Sequence, residues 1–338
     1  MSKKIKFAVA GCGHIGLRHA EMIRLNPEAE LVALADIKPK SQLAIPENDE
    51  TPFFHSLEEL IAAGLEIDVL NIATPNGYHA AQALQALEHG MHVVIEKPMA
   101  LHRADAEAII RKSKEKNRQV FVVMQNRYSP PSQWLKELVD SGSLGEIYMV
   151  QLNCFWNRDS RYYTPDSWHG KKALDGGTLF TQFSHFVDMM YWLFGDITDI
   201  QARLKNYNHT QMTEFEDSGL VHFSFVKGGT GTINYSTSVW DRNMESSMTI
   251  IAEKGSVKIG GQYMNHVEYC HVQDYCMPEL EATNPGNDYG QYKGSAQNHH
   301  YVIRNVIDVL HQRAGITTNA EEGMKVVEMI ERIYRAGI

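Results

Sequence analysis

Short, nearly continuous apolar runs alternate with amphipathic stretches through the first third of the chain. Residues 5–10, 31–35, 69–73, 92–95 and 120–124 read as buried strands. Between them, residues 15–25, 57–63, 77–89 and 105–116 repeat apolar positions at helical spacing and read as helices. Strand alternating with helix predicts an α/β Rossmann-type domain, a parallel sheet covered by helices. Pro75, Pro98 and the pair Pro130 and Pro131 punctuate this part, and the pair rules out a continuous regular strand there. The boundary is expected near Gln125, giving domains 1–124 and 125–338.

Beyond it the pattern changes. A strand of alternating polarity over 146–154 leads into a polar, aromatic-rich loop, followed by a helix over 181–194. Residues 201–205, 219–225, 231–237, 247–252 and 256–259 read as antiparallel strands, and 297–311 and 320–335 as closing helices. Strands in one block and helices in another predict an α+β domain on a large, predominantly antiparallel open sheet. One face of such a sheet needs cover, and self-association supplies it.

Composition narrows the partners. With 32 basic against 41 acidic residues the chain carries a formal charge of −9, which argues against a nucleic-acid or anionic-membrane partner. A locally basic pocket still admits an anionic small molecule. The start runs directly into a strand pattern, with no apolar signal region and no run of membrane-spanning length. Cys12, Cys154, Cys270 and Cys276 are scattered, which fits free thiols in a reduced, cytoplasmic protein. His266, Cys270, His271 and Cys276 match no standard zinc spacing, so no metal is expected.

Gly11, Gly13 and Gly16 form a G-x-G-x-x-G turn between the first strand and the first helix, and Asp36 closes the second strand. The first glycine permits the tight turn, the second lets backbone approach a pyrophosphate, and the third lets helix pack on strand. The helix N-terminus then faces the phosphates. Asp36 accepts hydrogen bonds from ribose hydroxyls and repels a 2′-phosphate, which selects NAD over NADP. Thr74, Pro75 and Asn76 follow the strand at Val69, where they either line the nicotinamide side or form an ordinary helix-capping turn. Glu96, Lys97 and Pro98 follow the strand at His92. Lys97 is there either a solvated lysine or a base facing the nicotinamide. Partial burial and a positive ring nearby favour the neutral, basic form.

With the helix around His185, these motifs resemble the glucose-fructose oxidoreductase, inositol dehydrogenase and rhizopine-catabolism (Gfo/Idh/MocA) family, over essentially the whole chain. The resemblance implies a Rossmann domain, a second domain with an open antiparallel sheet, and dimers or tetramers formed through that sheet. It also implies that His14, Ile15, His79, Glu96 and Gln125 join the glycines, Asp36, Thr74, Asn76 and Lys97 around the dinucleotide. In the family the lysine works with an Asp and a His four residues apart. Lys97 and His185 match, whereas Thr181 stands where the Asp is usual. Proton transfer then rests on Lys97 and His185, with Thr181 as a hydrogen-bonding hydroxyl. On one helix Thr181 and His185 would face the same way. By residue chemistry alone, His185 also reads as a satisfied histidine in an apolar core.

The stretch 157–172 carries Arg158, Arg161, Lys171 and Lys172 against Asp159 and Asp166, with Trp156, Tyr162, Tyr163 and Trp168 in or beside it. Arginines clamp diphosphate or carboxylate oxygens and aromatic rings stack on bases and sugars, although a solvated loop over packed aromatics reads equally simply. Arg127 and Tyr128 add a polar cluster at the domain boundary. Together these segments resemble one branch of the family, the UDP-N-acetylglucosaminuronic acid 3-dehydrogenases of bacterial surface-polysaccharide synthesis. Members of that branch oxidise the C3 hydroxyl to a 3-keto sugar, and some recycle bound NAD with 2-oxoglutarate. The resemblance implies a nucleotide-sugar substrate held by Lys97, Arg127, Tyr128, Arg158 and Arg161, with Tyr163, Trp168, Lys171, Thr181 and His185. Two other readings are a dehydrogenase of inositol or a free aldose, and a non-catalytic NAD-binding regulator. Retention of Lys97 and His185 speaks for an enzyme.

Overall fold

The computed structural model describes residues 3–290 and 292–337. Met1, Ser2 and Ile338, the outermost residues of the two expected domains, lie outside these, as does Gln291. Contacts divide the chain into two compact units, one built from residues up to Val123 with His299–Val327, the other from Met124–Asn298 with residues from Glu328 onward.

In the first unit, strands β1 (Ile5–Ala10), β2 (Ala29–Ala35), β3 (Phe53–Phe54), β4 (Val69–Ile72), β5 (His92–Ile95) and β6 (Val120–Val122) form a parallel sheet. Its order is β3-β2-β1-β4-β5-β6. The chain winds outward from β1 and then returns beside it, so the order reverses between β1 and β4. Ligands of open α/β sheets bind at the carboxyl ends of such a pair. Helices α1 (His14–Leu25), α2 (Leu57–Ala62), α3 (His79–Glu88) and α4 (Arg103–Lys116) connect the strands. Every residue of β4 is buried, as a strand covered on both faces requires. The two-residue β3 is too short to show in the apolar pattern and was not expected.

In the second unit Pro130 and Pro131 open a helix, α5 (Pro130–Asp140). Proline suits the first turn, where its fixed φ is already helical and its missing N–H is not needed. Then come β7 (Ile147–Phe155), α6 (Lys172–Asp175), α7 (Thr178–Thr181) and α8 (Ser184–Phe194). Strands β8 (Ile197–Lys205), β9 (Ser218–Phe225), β10 (Thr230–Ser236), β11 (Glu245–Ala252), β12 (Gly255–Gly260) and β13 (His266–Val272) follow. The sheet runs β13-β12-β11-β7-β10-β9-β8, antiparallel except where β7 and β10 pair in parallel. Alternate residues Val150, Leu152 and Cys154 of β7, and Val221, Phe223 and Phe225 of β9, are buried on one face. Elsewhere on the sheet Leu220 of β9 is 60% exposed, Tyr269 of β13 54% and Tyr148 of β7 51%.

The chain closes with α9 (His299–Leu310) and α10 (Ala320–Ala336). A single boundary at residue 124 assigns both to the second domain, but residues 299–327 return to the first unit. Val122 N–H donates to Thr318 O (3.1 Å), Phe121 bridges Asn319, and Arg313 pairs with Glu28 at 2.7 Å. The apolar stripe of a helix says that it covers a sheet, not which one. Among the described residues, no helix is long and apolar enough to cross a membrane.

Candidate active site

The dinucleotide motif has the predicted geometry. Gly11 sits at φ +88°, where a Cβ would lie 2.5 Å from Ala73 O. A Cβ at Gly16 would lie 1.6 Å from Gly11 O, so α1 can seat against the turn only without a side chain there. Gly13 is exposed, and a Cβ on it would meet nothing within 4 Å. It therefore leaves open room for a phosphate. Among the described residues no side chain caps α1, and its first turn, with His14 and Ile15, holds no acid, so its positive end suits an anion. Asp36 directs its carboxylate inward, where Oδ2 accepts from Cys12 N–H (2.7 Å) and Oδ1 from Lys38 N–H (2.8 Å). An open cradle, a bare helix N-terminus and a fixed acid together fit NAD.

At the end of β4 the Thr74 hydroxyl donates to Gln82 Oε1 (2.6 Å), and Asn76 is buried in a single 3₁₀ turn. His79 is buried between two backbone carbonyls, its Nδ1 2.8 Å from Pro98 O and its Nε2 2.8 Å from Thr74 O, and a neutral ring donates to one of them. Burial lowers its pKa against the pull of those carbonyls. Lys97, half-buried, follows β5. Beside it, Glu96 Oε1 lies 2.9 Å from His19 Nε2 and 3.4 Å from His299 Nε2. Burial alone would raise this carboxyl, but hydrogen bonds from His19 and His299 outweigh it and hold it well below the usual range. Asn71 Nδ2 engages His19 Nδ1 at 2.8 Å. Among the described residues this is the one cluster with metal-ligand spacing. A buried carboxylate shared by two imidazoles accounts for it, and Glu96 Oε2 also accepts from Lys97 N–H at 3.2 Å. Glu96 thus supports the backbone of Lys97.

The second unit spends two of the expected substrate clamps on its own interior. Arg127 is 1% exposed and grips Asp188 bidentately, Nε at 2.8 Å and the terminal nitrogen at 2.6 Å. Arg158 is buried against the Trp156, Tyr162 and Tyr292 rings, and its Nε donates to Gln182 Oε1 (2.8 Å). Burial lowers its pKa, and it also donates to Asn157 O (2.6 Å) and Lys293 O (3.1 Å). Arg161 pairs with Asp159 at 2.7 Å, Tyr163 is buried, and Tyr128 is half-buried. Trp168 stacks on His169, while Lys171 and Lys172 stay exposed. Arg127 and Arg158 thus turn their charge inward, where the rings around Arg158 pack against its guanidinium, while Arg161, Lys171 and Lys172 keep theirs at the surface. Gln125 Oε1 and Asn126 Nδ2 are buried with no hydrogen-bond partner among the described residues.

Thr181 and His185 do not share one continuous helix. Thr181 ends α7 and His185 is the second residue of α8, with Gln182 and Phe183 breaking the ladder between them. Gln182 is held by Arg158 and by Tyr162, whose oxygen accepts from Gln182 Nε2 at 2.8 Å. Thr181 donates to Asp175. His185 is buried. Asp175, Asp188 and Glu216 were not singled out by spacing. Asp188 alone had a signal, lying one helical turn after His185.

Residues 5–124 match the oxidoreductase family with an NAD-binding Rossmann fold, and 132–258 match the GFO/IDH/MocA C-terminal domain. The WlbA dehydrogenase from Bordetella pertussis, solved with NADH and UDP-GlcNAcA, is 32% identical with a TM-score of 0.86, covering 99% of this chain and 96% of its own. Its counterpart from Chromobacterium violaceum, in complex with the same two molecules, is 30% identical with a TM-score of 0.87, covering 99% and 94%. The NAD-dependent scyllo-inositol 2-dehydrogenase of Bacillus subtilis is 27% identical over 79% of this chain and 77% of its own. With its dinucleotide cradle and lysine motif in place, the chain is an NAD-dependent oxidoreductase of the Gfo/Idh/MocA family.

Proposed function

We propose that this protein oxidises the C3 hydroxyl of UDP-N-acetylglucosaminuronic acid to the 3-keto sugar, in the cytoplasm, during surface-polysaccharide sugar synthesis. Likeness along almost the whole chain to two dehydrogenases solved with that nucleotide sugar carries the reading. Bound NAD supplies the hydride acceptor. Lys97 takes the hydroxyl proton, His185 assists in its transfer, and Thr181 hydrogen-bonds the sugar. Three substrate charges need partners, two on the diphosphate and one on the carboxylate. With Arg127 and Arg158 engaged internally, exposed Lys171 and Lys172 are the first candidates.

The reading is tested by incubating the enzyme with the nucleotide sugar and 2-oxoglutarate and seeking the 3-keto product by mass spectrometry. The 2-oxoglutarate reoxidises any NADH that the enzyme retains. UDP-N-acetylglucosamine, which keeps the diphosphate but lacks the sugar carboxylate, should be far poorer, since losing a buried charge-assisted contact costs about 2–5 kcal/mol. Lys97→Met should abolish turnover with folding intact, and His185→Asn should cost on the order of 10²-fold. A dehydrogenase of inositol or another cyclitol is the second reading, favoured by the Bacillus relative. Robust NAD reduction with inositol or glucose, and none with the nucleotide sugar, would decide for it.

A further inference from the structure

We propose that Asp175 is a positioning residue of the sugar site: it takes the Thr181 hydroxyl hydrogen, so that Thr181 meets the substrate as a hydrogen-bond acceptor. This rests on the reading of Thr181 as a sugar contact. Asp175 ends α6 and is 1% exposed. Gly176 (φ +89°) and Gly177 (φ +132°) then reverse the chain, and α7 brings residue 181 back beside residue 175. Gly177 is also where Tyr334 Oη would stand 2.3 Å from a Cβ, so the reversal needs glycine on two counts.

Thr181 Oγ1 lies 2.9 Å from Asp175 O and closer still to Asp175 Oδ1. Both of these atoms only accept, and a threonine hydroxyl has one hydrogen. That hydrogen is committed to Asp175, and what the oxygen has left to offer is lone pairs. The second carboxylate oxygen accepts from Gly170 N–H at 2.8 Å, which fixes the carboxylate plane. A charged acceptor behind a hydroxyl polarises it and strengthens it as an acceptor in its turn. The negative charge that the family pattern puts at position 181 is therefore present in this chain, displaced behind a neutral hydroxyl. A sugar hydroxyl meeting Thr181 has to donate.

Asp175→Asn tests this. With its amide oxygen kept on Gly170 N–H, its NH₂ turns toward Thr181 and takes up a lone pair of the hydroxyl, which is left with only the neutral main-chain oxygen of residue 175 as its acceptor and no charge behind it. The assay uses whichever sugar the wild type oxidises, so a wild type silent on the nucleotide sugar but active on inositol overturns the substrate reading alone. A wild type silent on every sugar overturns both. The expected result is a fall in kcat/KM of about tenfold or more, with NAD affinity within about twofold. Thr181→Ala should fall comparably, and the double variant should be no worse than Thr181→Ala alone, the mark of coupled residues. Asp175→Asn combined with Thr181→Asp, which puts a carboxylate directly on the sugar, should recover part of the loss. Asp175→Asn within about twofold of wild type, or losses that multiply independently, would overturn the assignment. Should Asp175→Asn fail to fold, Thr181→Ser against Thr181→Val reads the same hydroxyl. The serine should stay active and the valine not, and an active valine variant overturns the assignment.

Discussion

Asp36 does two things at once. It holds the backbone of Cys12 and Lys38 through its two oxygens, and it places a negative charge at the mouth of the dinucleotide turn. NAD should therefore bind at least about tenfold more tightly than NADP, since a phosphate against that carboxylate costs on the order of a few kcal/mol. Calorimetry on Asp36→Ala should show the gap narrowing mainly through weaker NAD binding, because the turn loses its braces along with the charge. Glu216 is a second residue with a testable charge. Burial pushes its carboxyl up to about 7, against hydrogen bonds from Tyr334 (2.8 Å) and Tyr235 (3.0 Å). Raised above its unfolded value, the group keeps its proton when folded at pH values where the unfolded chain has lost it. Stability is thus lost as pH rises from about 4.5, and the loss is complete above about 7, on the order of 3 kcal/mol in all. Glu216→Gln should melt higher than the wild type at about pH 8 and gain nothing below pH 5. Equal melting temperatures across that range would show that the carboxyl titrates normally.

Among elements, the joint between the turn at Gln125–Tyr128 and α8 depends on the buried Arg127–Asp188 pair. Removing one partner strands the other charge, so Arg127→Met or Asp188→Asn should each cost about 3–5 kcal/mol in denaturant unfolding. Replacing both with apolar residues should restore much of it. The pair also explains how far the chain was legible in advance. The parallel strands are readable because full burial makes them continuous apolar runs, and the glycine turn because Gly11 and Gly16 each answer a separate steric demand. Asp36 and Lys97 are candidates from sequence alone because strand ends have fixed positions relative to such a turn, and the structure places them just after β2 and β5. The internal partners of Arg127 and Arg158 are not legible, because a basic residue shows its charge in the sequence, whereas its partner, Asp188 or Gln182, is chosen by tertiary packing. Thr181 and His185 were placed on one helix because local spacing carries no sign of the break that Gln182 and Asp175 hold in place. The apolar patterning of α9 was correct, yet nothing in it named the sheet that it covers.

At the scale of the whole molecule, the seven-stranded sheet leaves Tyr148, Leu220 and Tyr269 substantially exposed. Homodimers or homotetramers built through this sheet are the expected assembly, since self-association is a common way to cover such a surface. Sedimentation should find a species larger than the monomer, and Leu220→Glu with Tyr148→Glu should shift it toward the monomer without unfolding it. A wild type sedimenting as a monomer would remove the sheet from consideration as an interface.

The return of residues 299–327 to the first unit has a consequence for synthesis. Domains commonly fold in order from the N-terminus as the ribosome delivers them, at about 5–20 residues per second. Here the strands of the dinucleotide sheet emerge first, but the segments that engage β6 and Glu96 follow only after residues 124–298 have been translated. That interval is on the order of ten seconds to half a minute. The cofactor-binding unit is thus begun first but completed only after residues 124–298 have emerged, and a nascent chain ending at Asn298 should carry a protease-sensitive, NAD-incompetent amino-terminal unit.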